Sequence, residues 1–520
     1  MNNVDFAKYT HINIAFSIPN EDGSLSFEDD WAMQQITGQI KSGGAKVLMS
    51  VGGWTGSNLF SKIFKQAPSR SKLLDSMVSY VKQYNLDGID IDFEYPGRLG
   101  NTCNIYDEAN DTPNLLAFLK DLRKKFSSEF GDNKDKSKLI TLAVRVQPFD
   151  VNGSPASDVS EFAKYVDFAN IMAYDINGAW NEKTGPNAPF EYDKQKETTP
   201  LSFVSAIDAW TKAGWPANQL VAGLGFYGRS TQTKQDMRVE DGNQYQPQLH
   251  DVPLGDSEDA PWYDKCAGIT SASGTWQWKH LRDQGVLVQP DTAASPWIRQ
   301  WDNVSQTPWL FNPDKKLFLS YDDPKSIRIK SDYAASKGLA GVMLWSINMD
   351  YNNELIDAAR SFGSGSSSES SAIKSNSAES SSTESIGSSA SPTASSPSVN
   401  SSSTSTTQSL SESASSSPLS SEPTTTSQAP TSSSTAPAQT SSPGNNELAP
   451  GQSCTSDGKY SCVDSNGHTA AYVVCTGGKQ VAASCAPGTV CLPFQNTIIC
   501  GWPSLKSLVS GVDSLFSHGN

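Results

Sequence analysis

"LDGIDIDFEYPG", residues 86–97, sets four carboxylates, Asp87, Asp90, Asp92 and Glu94, into an otherwise apolar stretch. In an extended chain successive side chains alternate faces, so Asp90, Asp92 and Glu94 project one way and Ile89, Ile91 and Phe93 the other. Gly88 and the β-branched isoleucines suit a central parallel strand, whereas an exposed amphipathic edge strand is the plainer alternative. Acids at this density on a core element repel one another and resist desolvation. Their place there implies chemistry.

Outward from this strand, further short apolar runs alternate with amphipathic segments of helical period. They are 11–16 (HINIAF), 46–53 (KVLMSVGG), 139–146 (LITLAVRV), 166–175 (VDFANIMAYD), 220–228 (LVAGLGFYG) and 341–347 (GVMLWSI), with 88–94 between the second and third. Regular β/α alternation with this many repeats predicts an α/β fold of the TIM (β/α)8 type. Seven strands are legible, and the natural place for an eighth is before residue 1. The opening "MNNVDFAKYTHINIAF" enters fold-like sequence with no basic-then-apolar leader, so the expectation is a truncated chain, or a start assigned too late, with a signal peptide and an aromatic strand upstream. Between about 229 and 318 the alternation gives way to a tryptophan-rich α+β insertion. It is expected to raise one wall of the barrel mouth, with about half of its tryptophans in the core.

The 520 residues divide by composition. Residues 1–363 read as the globular barrel. Residues 364–449, almost wholly Ser, Thr, Pro and Ala, read as a linker with the make-up of an O-glycosylated stalk. Six of the eight cysteines, at 454, 462, 475, 485, 491 and 500, fall in a module at 450–503, followed by a tail at 504–520. An even, dense set reads as a disulfide framework whose fifteen pairings sequence does not resolve. Zinc fits poorly, with no close C-x-x-C pair and only His468 nearby. Cys103 and Cys266 stay open between pairing and free thiols. The formal net charge of −15 disfavours nucleic acid and anionic membrane as partners. No apolar run is long enough for a membrane span, and the tail is too polar for a lipid-anchor signal.

In parallel barrels, chemistry gathers at the C-terminal ends of the strands. Glu94 stands just before "YPG", with Asp92 deeper on the same face; Tyr174 and Asp175 end "MAYD", Tyr227 ends "GFYG", and Trp345 ends "GVMLW". These residues resemble glycoside hydrolase family 18, the chitinases: "DGIDIDFE" fits the D-x-x-D-x-D-x-E signature, and "SVGG" (50–53), "MAYD" (172–175) and the late strand ending in Trp345 follow in family order. The cysteine module resembles chitin-binding modules of carbohydrate-binding family 19, through its cysteine spacing and "CAPGTVC". Barrel, stalk and module together resemble a secreted fungal chitinase.

The resemblance implies hydrolysis of β-1,4 bonds between N-acetylglucosamine units with retention. The substrate's own acetamide would serve as nucleophile, forming an oxazolinium ion. The residues agree, since Asp92 and Glu94 are neighbours on one strand face and poorly placed to flank a sugar from opposite sides. Glu94 would be the acid and then the base, Asp92 would stabilise the acetamide nitrogen, Asp90 would share a proton with Asp92 from beneath, and Tyr174 would hold the acetamide group. Asp175 would bind the distorted sugar over a Trp345 floor. Tyr227, Trp54, Tyr95, Met172 and Trp180 complete the substrate-contacting set, although Met172 reads first as packing below Tyr174, and Trp54 and Trp180 each have a plain packing alternative. Asp87 reads as structural. Ser50 either pairs with the acid stack or only permits close packing. The implied partners are chitin and chitooligosaccharides, acted on by a monomer without cofactor or metal, secreted or at the cell wall. Competing functions are an endo-β-N-acetylglucosaminidase on glycoprotein glycans and a non-catalytic chitin-binding wall protein; Glu94 argues against the second.

Overall fold

All seven apolar runs are β-strands in the computed structural model of the chain: β1 (His11–Pro19), β2 (Lys46–Gly52), β3 (Gly88–Asp92), β4 (Leu139–Val144), β5 (Phe168–Ile171), β6 (Leu220–Gly225) and β7 (Gly341–Trp345). The structure describes residues 4–363, apart from 29, 134–136, 197–199, 265 and 267, and segments between 460 and 501. The seven strands form one parallel sheet in the order β7-β6-β5-β4-β3-β2-β1, and a short antiparallel strand, Leu25–Ser26, pairs with the end of β1. The two ends of the sheet face one another. Phe16 of β1 stacks on Trp345 of β7 at 5.5 Å, and Arg360 donates to the Lys8 carbonyl at 2.7 Å.

Helices on the outer face follow the apolar period. In α1 (Ala67–Gln83) Leu73, Met77, Val78 and Val81 are buried, and in α2 (Asp111–Phe130) Leu115, Phe118, Leu119, Leu122 and Phe126 form the inward stripe. Before β7, α3 (Pro324–Ser336) starts with proline in its first turn and a reciprocal Asp323/Ser326 cap.

The run at 220–228 is two strands rather than one. The parallel strand ends at Gly225, and Tyr227–Gln232 turns into a five-stranded antiparallel sheet completed by Thr275–Gln277, Ile298–Asp302, Thr307–Asn312 and Leu317–Ser320. The antiparallel sheet of the insertion therefore begins at Tyr227. Three of its six tryptophans, Trp276, Trp278 and Trp309, are buried.

The expected linker and tail lie outside the described residues. In the second unit, Tyr460–Cys462, Ala471–Thr476 and Lys479–Ser484 form one antiparallel sheet, and Val490–Phe494 pairs with Thr497–Gly501. A disulfide joins Cys462 to Cys491.

Candidate active site

β3 ends at Asp92, and Glu94 lies on the turn just beyond it. Two side chains fix that turn. The Ser57 hydroxyl accepts from the Glu94 amide at 2.9 Å and donates to the Asp92 carbonyl at 3.0 Å, while the Asn104 amide donates to the Glu94 carbonyl at 2.6 Å. Gly52 approaches so closely that a Cβ there would sit 2.2 Å from the Asp92 carbonyl oxygen, and its φ of +112° also favours glycine.

The three acids differ in their surroundings. Asp90 lies deepest, abreast of Ser50 on β2 and Thr141 on β4. It accepts from the Ser50 hydroxyl at 2.7 Å and the Thr141 hydroxyl at 2.5 Å, with the Asn170 amide of β5 at 3.5 Å. Burial raises its pKa against the pull of these donors. Asp92 is also buried, but its Oδ1 has no hydrogen-bond partner. Burial, then the charges of Glu94 and Asp90, hold its carboxyl well above the usual range. In Glu94 burial pushes the carboxyl up to about 7, with Tyr95 pulling it down and the Asp175 charge adding to the rise. The column thus has a hydrogen-bonded base, a protonatable middle with an unused oxygen, and an acid poised near neutrality.

Glu94 opens into a cavity of about 230 Å3 whose wall includes Trp54, Tyr95, Arg145, Met172, Tyr174 and Asp175. Trp54 is 46% exposed, as a stacking platform requires. Met172 is part of this wall. The Tyr174 hydroxyl lies 3.8 Å from the Met343 sulfur, and burial followed by the charges of Asp92, Asp175, Glu94 and Asp90 keeps it protonated. Asp175 adopts a left-handed φ of 55°, tolerated by aspartate, and its carboxylate pairs with Arg229 Nε at 2.7 Å.

The remaining expected contacts, Tyr227, Trp345 and Trp180, are not among the residues that line this cavity. Tyr227 is buried edge-on to Tyr174 at 6.0 Å, beneath the Arg229 guanidinium. Trp345 stacks on Phe16 at the end of β7. Trp180 is half exposed and helps line a neighbouring cavity of about 220 Å3 with Arg229, His250 and Ser273. Asp87 is structural, accepting from the Val47 amide at 2.8 Å and pairing with Lys41. Ser50 pairs with the acid column.

Sequence reasoning missed Thr141, Asn170, Ser57, Arg145 and Arg229. Thr141 and Asn170 are polar residues inside apolar strands, a signal of inward-facing partners. Arg145, at the end of "LITLAVRV", packs against Tyr95 and pairs with Asp150 at 3.2 Å.

Comparison with known proteins gives the same picture. The family model described as glycosyl hydrolases family 18 matches residues 2–350, and that described as carbohydrate binding domain (family 19) matches residues 424–496. A chitinase-like effector of Moniliophthora roreri is 34% identical over 373 residues, covering 69% of this chain and 88% of that protein. Chitinase A1 of Niallia circulans is 32% identical over 359 residues, 66% of this chain and 47% of the relative. The crystal structure of a chitinase from Rhizomucor miehei aligns with a TM-score of 0.64 at 36% identity, over 69% of this chain and 96% of that one.

Proposed function

The chain belongs to family 18 of the glycosyl hydrolases, and on that premise we propose that it is a chitinase cleaving β-1,4 bonds between N-acetylglucosamine units with retention. The observation that carries the mechanism is the pairing of a near-neutral Glu94 with the unpartnered Asp92 Oδ1 beside it. Glu94 donates its proton to the leaving oxygen. The acetamide oxygen of the sugar whose anomeric carbon bears the scissile bond attacks that same carbon, the bond to the protonated oxygen breaks and the other sugar departs, and Asp92 Oδ1 accepts the acetamide N–H as positive charge grows on the ring. Tyr174 holds the acetamide from below, and Asp175, fixed by Arg229, orients the sugar. Glu94, now ionised, takes a proton from the water that opens the oxazolinium ion and restores the starting configuration. The family 19 module holds the chain on chitin outside the cell or in a wall. Among the described residues no helix is long and apolar enough to cross a membrane.

The test uses matched oligosaccharides with an acetamide, a free amine or a hydroxyl at the sugar carbon beside the anomeric centre. Only the acetamide series should be cleaved, and the first product detected by NMR should be the β-anomer. Comparable cleavage of the hydroxyl series would remove the substrate's acetamide from the mechanism.

A further inference from the structure

Cys103 and Cys266, 163 residues apart in sequence, are joined by a disulfide with their Cα atoms 5.0 Å apart. The two cysteines belong to connections that follow different strands of the sheet. Cys103 is in the segment between β3 and α2, the same segment that begins with Glu94. Cys266 lies in the turn of a hairpin, Trp262–Asp264 with Ile269–Ser271, inside the insertion that follows β6. In the sheet β3 and β6 are separated by β4 and β5, and both connections leave from the C-terminal ends of their strands. A covalent link therefore joins two connections that leave the same end of the sheet as the one where Glu94, Arg145 and Asp175 come together.

Both arms of this link are fixed. On the Cys103 side, Asn104 holds the Glu94 carbonyl and the Ile105 amide donates to the Asn58 carbonyl at 3.3 Å. On the Cys266 side, the Asp259 carboxylate accepts from the amides of Gly255, Ser273 and Gly274, closing the hairpin's base. Arg229 then donates to the Ser273 carbonyl at 3.0 Å while pairing with Asp175. Arg98, Leu99 and Gly100 from the first arm line the cavity of Glu94, and Ser273 from the second lines the neighbouring cavity of Trp180 and Arg229. The Asp175–Arg229 pair stands between these two cavities, each partner lining one of them.

We propose that the Cys103–Cys266 disulfide is a strap over the catalytic mouth, so that a polymer reaches Glu94 by passing an end beneath the strap rather than by settling into an open groove. The bond closes a ring made of the Glu94–Cys103 segment, the insertion hairpin and strands β3 to β6. A short oligosaccharide passes through such a ring freely, but an internal stretch of a long chain cannot be laid into it. The strap thus sets selection for chain ends without touching the reacting atoms. This rests on the reading of the chain as a polymer-cleaving glycosidase.

The experiment compares the full chain with the Cys103→Ser/Cys266→Ser variant on a short chromogenic N-acetylglucosamine oligomer and on a soluble chitin derivative, following viscosity and reducing ends together. Wild type should release reducing ends with little loss of viscosity. The variant should lose viscosity severalfold faster per reducing end at an unchanged oligomer rate. Equal ratios in the two proteins would reduce the disulfide to a staple and overturn the proposal. Should the variant also lose oligomer cleavage through misfolding, wild type alone decides: a polymer blocked at both ends by bulky groups should be cut severalfold more slowly than the unblocked polymer, and equal rates would overturn the strap. Failure of wild type on the oligomer itself would instead refute the chitinase reading on which the strap depends.

Discussion

Replacing Glu94 by glutamine tests the catalytic and the energetic account of the site together. The amide keeps the shape of the carboxyl and removes its proton. General acid catalysis contributes about 10²–10⁴-fold, so turnover of a substrate with a poor leaving group should fall by at least that much. The stability effect is specific to this environment. Burial lifts the Glu94 pKa from an ordinary 4.5 to about 7, an interval worth about 3 kcal/mol at about 1.4 kcal/mol per pKa unit. Because the folded state holds this proton more tightly than the unfolded chain, the carboxyl leaves stability unaffected below pH 4.5. It lowers stability progressively as pH rises through about 7. Glutamine has no such dependence. The advantage of Glu94→Gln over wild type should therefore grow by about 3 kcal/mol between pH 4 and pH 8. Twelve of the chain's thirteen tryptophans precede residue 364, so urea unfolding followed by tryptophan fluorescence reports on the catalytic unit. Parallel stability profiles for the two proteins would show that Glu94 is solvated as an ordinary carboxylate and would refute the reasoning.

Asp92→Asn should slow acetamide-bearing substrates by about 10²-fold or more and displace the pH–rate profile, since the acids titrate as a group; an unchanged profile would count against the carboxylate column. Asp175→Asn removes a charge that raises Glu94, so the alkaline limb of kcat/KM should move to lower pH, and a limb that moves up or stays would contradict this electrostatic picture. Thr141→Val deprives buried Asp90 of its 2.5 Å donor and should cost about 1–3 kcal/mol in unfolding free energy, with loss confined to a few tenths weighing against a structural role for that bond. Removal of residues 446–520 should weaken action on insoluble chitin while sparing soluble oligomers, because the module raises effective concentration at the surface; equal losses on both would make it part of the catalytic unit.

The parallel strands and the acid column were legible because burial of both sheet faces writes continuous apolar runs into the sequence, and carboxylates inside such a run stand out. Glu94, Asp92 and Asp90 needed no tertiary information. Thr141, Asn170 and Ser57 did, since a lone hydroxyl or amide acquires meaning only when register sets it beside Asp90 or Glu94. The break at Phe226 was hidden for a related reason: Leu220–Gly225 and Tyr227–Gln232 are both largely buried, and their sequence does not record that they join different sheets. Pairing of Cys103 with Cys266 across 163 residues leaves no local trace at all.

The bonds that converge on Asp90 also bear on how the sheet assembles. Ser50, Asp90 and Thr141 occupy one row across β2, β3 and β4, and Asn170 reaches the same carboxylate from β5. A slip of β3 by one residue would turn Asp90 to the opposite face, where Ile89 and Ile91 pack into the hydrophobic core, without its donors. The correctly aligned sheet alone satisfies this carboxylate. Asp90 and its three donors thus add to the free-energy gap between the aligned sheet and one slipped by a residue.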